Sequence, residues 1–208
     1  MGRHAGVTTE ETRERLLRAA AVVFARLGYE KASISDITAE AGLSSGSIYG
    51  HFGSKAELFV AALRTHSSIE LDRLLGRGEG IDVASVIAAR GAALDRPRPG
   101  DGSLVVEAIV AAKHDPRVAE LLLESFGQRE RTFAALLAGG QAAGQIDASV
   151  APDAAARLIL VIALGSLLVS AMELPPVDHD GWSALIENLV DRFRADAPAT
   201  LATPTKEH

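Results

Sequence analysis

Twelve residues, Ser44 to Lys55 (SSGSIYGHFGSK), bring four serine hydroxyls, a phenol, an imidazole and an ammonium together among three glycines. Groups of these types at this density suit hydrogen bonding to phosphate oxygens and base edges. Covalent catalysis needs more, because a serine becomes a nucleophile only beside a general base that an acid orients. No Ser-His-acid set is visible, and His114-Asp115 alone is too common a pair to count. The six histidines, His4, His51, His66, His114, His179 and His208, show no metal-ligand spacing, and no phosphate-cradling glycine loop follows a predicted strand. Cysteine is absent, which excludes disulfides and thiolate zinc sites and fits a reducing compartment. The pattern points away from an enzyme, a metal or a cofactor and towards binding.

The segments around this stretch are built to position it. Ser33 and Asp36 have the spacing of a capping box, and Ile37, Ala41 and Leu43 supply a small apolar face for the helix it starts. Gly42 suits the left-handed conformation that ends such a helix, and Ser44 is placed to cap a second one running from Ser45 to about His51. Helix, glycine turn, helix is the helix-turn-helix pattern. Ile48 and Phe52 are spaced to point inward. Upstream, Thr8 and Glu11 form another capping box, and Leu16, Leu17, Ala20, Val23, Phe24 and Leu27 make one face of a helix that Gly28 ends.

The run from Thr12 to Leu58, RERLLRAAAVVFARLGYEKAS and then SDITAEAGLSSGSIYGHFGSKAEL, resembles the DNA-binding domain of the tetracycline-repressor (TetR) family. The Ala-Gly turn, Ser-x-Gly-x-x-Tyr-x-His-Phe and the following Ser-Lys-x-x-Leu occur together in register, which makes the resemblance specific. It implies that Tyr49 and Lys55 meet backbone phosphates of double-stranded DNA. Arg3 would enter a minor groove or meet a phosphate, as basic arms do in other helix-turn-helix proteins. Gly46, having no side chain, lets the backbone approach the duplex, and Ser45 and Ser47 reach base edges or phosphates. Ser33, Ser44 and His51 complete the expected DNA-binding set. Two features depart from the family pattern: Gly50 stands where relatives often carry a large polar residue, and no Lys or Arg lies between Lys31 and Lys55. A helical small-molecule-binding or interaction module that has lost DNA reading is therefore the alternative.

Charge divides along the chain. Residues 1–64 hold 8 Lys and Arg against 7 Asp and Glu, a balance of +1; the rest holds 13 against 20, a balance of −7, giving the net −6. A weakly basic first domain over an acidic second one predicts few phosphate contacts per subunit. We expect an all-α chain of about nine helices. Residues 1–53 would form the helix-turn-helix domain, residues 54–194 a helical ligand-binding and dimerisation domain, and residues 195–208 a disordered tail. Breaks fall at Gly76–Gly80, at the two-proline segment Asp95–Gly100, at Asp115-Pro116 and at Gly139–Ala151.

The resemblance implies a small-molecule effector held among the helices of the second domain. Ser103, Glu107, Val110 and His114 share a helix face, and Leu63, His66, Phe126, Phe133 and Leu164 are further candidates for its lining. Pro152 to Met172 is apolar all round, and a helix apolar on every side needs burial on every side. With Trp182 to Arg194 it would form a four-helix homodimer interface, as in the family, through Leu160, Leu164, Leu167, Leu168, Trp182, Leu185, Ile186, Leu189 and Phe193. The longest uncharged run, Leu158 to Met172, is 15 residues, shorter than a membrane span requires. A cytoplasmic protein with no membrane partner is the expectation.

Overall fold

The computed structural model describes residues 8–44, 46–75, 82–96 and 101–195, with backbone alone for Ser47, Asp101 and 66–75. Both capping boxes form. Glu11 donates its N–H to Thr8 Oγ1 at 3.1 Å while its carboxylate accepts the Thr8 N–H at 2.7 Å, starting α1 (Thr9–Leu27). Ser33 and Asp36 do the same for α2 (Ile34–Ala41), which ends at Gly42 in the left-handed region, φ 62°. The next helix, α3, is shorter than its sequence pattern predicts, Gly46–Tyr49 only. Gly50 and Gly53 flank its exit, and glycine weakens a helix by about 1 kcal/mol relative to alanine. The chain leaves through a turn in which His51 and Phe52 both donate N–H groups to Ile48 O, at 2.9 and 2.8 Å.

Six longer helices follow: α4 (Lys55–Leu75), α5 (Val83–Ala92) with a 3-10 turn over Ala93–Asp95, α6 (Asp101–His114), α7 (Pro116–Ala142), α8 (Pro152–Ala171) and α9 (His179–Asp191). No strand forms among the described residues; Ile146 and Arg194 make one isolated bridge. Asp115 accepts N–H bonds from Arg117 and Val118, so Pro116 sits in the first turn, where its missing N–H costs nothing. α7 continues through Gly139 and Gly140, where a break is expected. A Cβ on Gly140 would lie 2.8 Å from Ile146 and 3.2 Å from Val83, so glycine there allows α5 to pack closely. α9 begins earlier than Trp182 because Asp178 caps it, accepting the Gly181 N–H at 2.7 Å. Arg3, Ser45, the loop 76–80, residues 97–100 and the tail beyond Ala195 lie outside the described residues.

Two cores hold these helices. The first gathers Leu16, Leu17, Val23 and Phe24 of α1, Ile37 of α2, Ile48 of α3 and Leu58, Phe59 and Leu63 of α4. It also takes Leu104, Val105, Ala108 and Ala111 from α6 and Val118 and Leu122 from α7, so its packing runs across residue 54 without a seam. Phe24, Tyr29 and Phe59 form its aromatic centre, with Phe59 4.7 Å from Phe24 and 5.0 Å from Tyr29 between ring centroids. The second core is built from Val83, Ala84, Ile87, Leu137, Ile146, Ala155, Ala156, Ile186 and Val190.

α8 lies along α6 and α7 and joins the cores: Leu164 and Leu167 pack on the first, Ile159 on the second. Its remaining face is bare. Leu158, Val161, Leu168, Val169 and Met172 are exposed, as are Leu185 and Leu189 of α9. By length and mean hydropathy, 2.2 over an 18-residue window, α8 is apolar enough to cross a membrane. Counting only the uncharged run understates this, because Asp153 and Arg157 lie near one end of an otherwise apolar helix. In the fold, α6 and α7 cover its other flank.

Candidate nucleic-acid interface

The turn between α2 and α3 presents Ser44, Gly46 and Tyr49 at the surface, Tyr49 at 67% exposure. Behind it, Ile48 is fully buried and Phe52 nearly so, anchoring α3 in the first core as the apolar spacing predicts. A Cβ built on Gly46 meets nothing within 4 Å, so internal packing does not require glycine there. What glycine does provide is a helix backbone that a second molecule can approach closely. Only the backbone of Ser47 is described. His51 is half-buried, its ring 6.4 Å from that of Phe52.

Two expected contacts are engaged within the protein. Ser33 is exposed, but its hydroxyl donates to Asp36 Oδ2 at 2.6 Å and accepts the Asp36 N–H, so it serves as a cap. Those bonds hold the Asp36 carboxyl below the usual carboxylate range. Lys55 points its ammonium over the Tyr29 ring, 4.5 Å from the centroid, and donates to Glu30 O at 3.3 Å. Tyr29 is itself held twice. Its N–H donates to Glu107 Oε1 at 2.5 Å and its hydroxyl to Asp115 Oδ2 at 2.7 Å. Burial first, and the Asp115 bond second, push the Tyr29 phenol well above its ordinary value; the same bond holds the Asp115 carboxyl down.

The sequence pattern does not reveal these positioning residues. Arg15 donates to Ala41 O at 2.7 Å and secures the end of α2. Arg13 lies over the Phe52 ring, 5.6 Å from its centroid, and Arg26 pairs with Glu40 at 3.6 Å. The one sequence signal for Tyr29 is an aromatic residue directly after the helix-ending Gly28.

The candidates for a ligand pocket do not gather around one cavity. Glu107 faces the Gly28-Tyr29 turn, where its half-buried carboxylate accepts the Tyr29 backbone N–H, while Ser103, Val110 and His114 are exposed on the flank of α6. Leu63 is buried in the first core, Phe126 and Leu164 pack against it, and Phe133 packs against the second. Only the backbone of His66 is described. A cleft of about 280 Å³ does lie between α1, the α3–α4 turn, α4 and α7, lined by Arg13, His51, Arg64, Glu124, Ser125 and Gln128 among others, and it includes none of these candidates.

The expected dimer residues also divide. Leu168, Leu185 and Leu189 lie on the bare face, whereas Leu160 is half-buried and Leu164 and Leu167 face the first core. Ile186, Trp182 and Phe193 belong to the second core, with the Trp182 indole N–H donating to Gly91 O at 2.9 Å. Val161, Leu158, Val169 and Met172 take their places on the outer face. A helix apolar all round gives no local sign of which side is outward.

Comparison with known proteins agrees with this architecture. Residues 16–62 match the model of bacterial regulatory proteins of the tetR family, and residues 82–200 match a tetracyclin repressor-like C-terminal domain. The HTH-type transcriptional regulator UidR of Escherichia coli is 28% identical over 158 residues, covering 76% of this chain and 81% of that protein. The HTH-type transcriptional activator FasR of Mycolicibacterium smegmatis is 44% identical over 57 residues, 27% of this chain and 26% of that protein. The solved structure of Salmonella enterica GusR superposes with a TM-score of 0.68 at 28% identity, covering 86% of this chain and 93% of that one.

Proposed function

The chain belongs to the TetR family of transcriptional regulators, and we propose that it is a cytoplasmic, ligand-responsive homodimer that represses from a palindromic operator. The carrying observation is the α3 surface: Gly46 and Tyr49 are exposed on a helix whose other side is locked into the core, and the fold itself requires neither outward residue. In this reading Gly46, Ser47 and Tyr49 face a major groove, Ser44, Ser45 and His51 flank it, and Arg3 and Lys55 meet phosphates. Residues 1–53 read DNA and residues 54–194 hold the effector and the dimer contacts.

The exposed apolar residues of α8 and α9 support the dimer, since large exposed apolar surface marks an interaction site. Two-fold symmetry would present two α3 helices to successive major grooves, roughly 34–36 Å apart. An effector bound among α4 to α8 releases DNA by favouring a dimer with a different separation. Driving a 99:1 population to 1:99 takes about 5.5 kcal/mol of differential binding. FasR, similar to this chain over 57 residues, is a transcriptional activator, so the assignment as a repressor is a separate element of the proposal. No catalytic step is assigned to the chain.

Selection of bound sequences from random duplex DNA, repeated on the best binder across a salt series, tests this reading. The expected result is a palindrome with half-sites one helical turn apart and affinity that falls as salt rises. A folded, dimeric protein that enriches no sequence would favour the alternative, a helical module that no longer reads DNA.

A further inference from the structure

Tyr29 touches both halves of the molecule through different atoms. Its ring underlies the Lys55 ammonium at the start of α4, its N–H reaches Glu107 in the middle of α6, and its hydroxyl reaches Asp115, the residue that caps α7. A second link runs in parallel, from Arg117 Nη2 on α7 to Glu57 Oε1 on α4 at 3.2 Å, beside Lys55 in sequence. Gly28 leaves room for the first of these, since a Cβ there would sit 3.1 Å from Glu107 Oε1.

We infer that Tyr29 is a positioning residue that fixes where Lys55 presents its charge and ties that position to the α6–α7 junction. The inference rests on the reading of Lys55 as a phosphate contact. A lysine ammonium on a four-carbon stem is otherwise mobile, and the ring face and Glu30 O restrict it to one side of the α4 terminus. Because α6 and α7 hold Tyr29 at two points, a shift of their junction moves the ring and changes the presentation of the ammonium. This route does not require α4 to swing. Coupling of this kind is reciprocal, so DNA bound at Lys55 must in turn steady the junction.

The experiment uses the full-length dimer and the duplex recovered by selection. Lys55→Gln should lower the slope of log affinity against log salt by about one per protomer, because one phosphate contact is lost. Tyr29→Leu, which removes the ring, should lower it by the same amount, and the double variant should go no lower. Tyr29→Phe keeps the ring and should keep the slope. In hydrogen exchange, duplex binding should slow the amides from Glu107 to Val118 in the wild type and slow them less in Tyr29→Phe, which keeps the backbone bond to Glu107 but loses the hydroxyl bond to Asp115. A normal slope in Tyr29→Leu beside a reduced one in Lys55→Gln would overturn the positioning role. A normal slope in Lys55→Gln would instead sink the phosphate contact itself. If Tyr29→Leu fails to fold, Tyr29→Phe decides alone: undiminished protection of residues 107–118 there overturns the tie to the junction.

Discussion

The two cores solve the problem of burial differently. Around Phe24, Tyr29 and Phe59 the first core closes on a buried aromatic centre, with ion pairs such as Arg26–Glu40 on the surface nearby. The second core, under α5, α8 and α9, contains no aromatic residue that is fully buried; Trp182, Phe133 and Phe193 are only partly covered. Beside it the bare stripe of α8 and α9 has about half of each of Leu158, Val161, Leu185 and Leu189 open to solvent. The first core thus buries its aromatic centre within one chain, whereas the exposed apolar residues of α8 and α9 are left for the partner proposed above.

A charge on the stripe should show that contrast most sharply. Val161→Asp would place two buried charges in a symmetric dimer, each costing about 2 kcal/mol or more, so dissociation should strengthen on the order of a thousandfold. Light scattering should then report a monomer whose helical circular dichroism persists; a stable dimer would refute the assignment of the stripe. Phe59→Ala should do the reverse, removing about 3–5 kcal/mol of stability in denaturant unfolding. Assembly would survive wherever the chain remains folded.

Within the head, the glycines separate fold from function. Gly42→Ala forces a side chain onto φ 62° and should cost about 1–2 kcal/mol. Gly46→Ala meets no atom and should leave the melting temperature unchanged or slightly raised, while weakening operator binding in a mobility-shift titration. The smallest effect concerns pH. The Tyr29 phenol is raised above the value of 10.0 that it has when unfolded, so its contribution to stability is intact below that pH and is lost as pH rises beyond it. Tyr29→Phe should therefore show a flatter alkaline limb in a plot of stability against pH; an identical limb would mean that burial and the Asp115 bond together do not raise the phenol.

Features that depend on neighbours in sequence were legible. Thr8 with Glu11, Ser33 with Asp36 and the glycine after Ala41 specify helix ends within four residues, and the structure has them where the pattern predicts. Features that depend on distant partners were not. Glu107 pairs with a backbone group 78 residues away, so its helix face alone suggested a pocket. Trp182, Leu185, Ile186 and Leu189 all fit one helical period, and only the placement of α5 decides which of them turn inward. The candidate DNA contacts on α3 are named from the motif alone, whereas the anchoring of Lys55 on Tyr29 needs the tertiary fold.

The continuity of the first core across residue 54 has a consequence for recombination. A chimera that carried only residues 1–53 onto a foreign scaffold would leave Phe24 and Tyr29 without the Phe59 ring they pack against. It would also strip away Leu104, Ala108, Ala111 and Val118. The reading head is therefore not a cassette. A junction placed beyond Leu122 would transfer most of what the head rests on, so exchange of DNA specificity between relatives should succeed by grafting α3 surface residues or long N-terminal blocks, and fail in between.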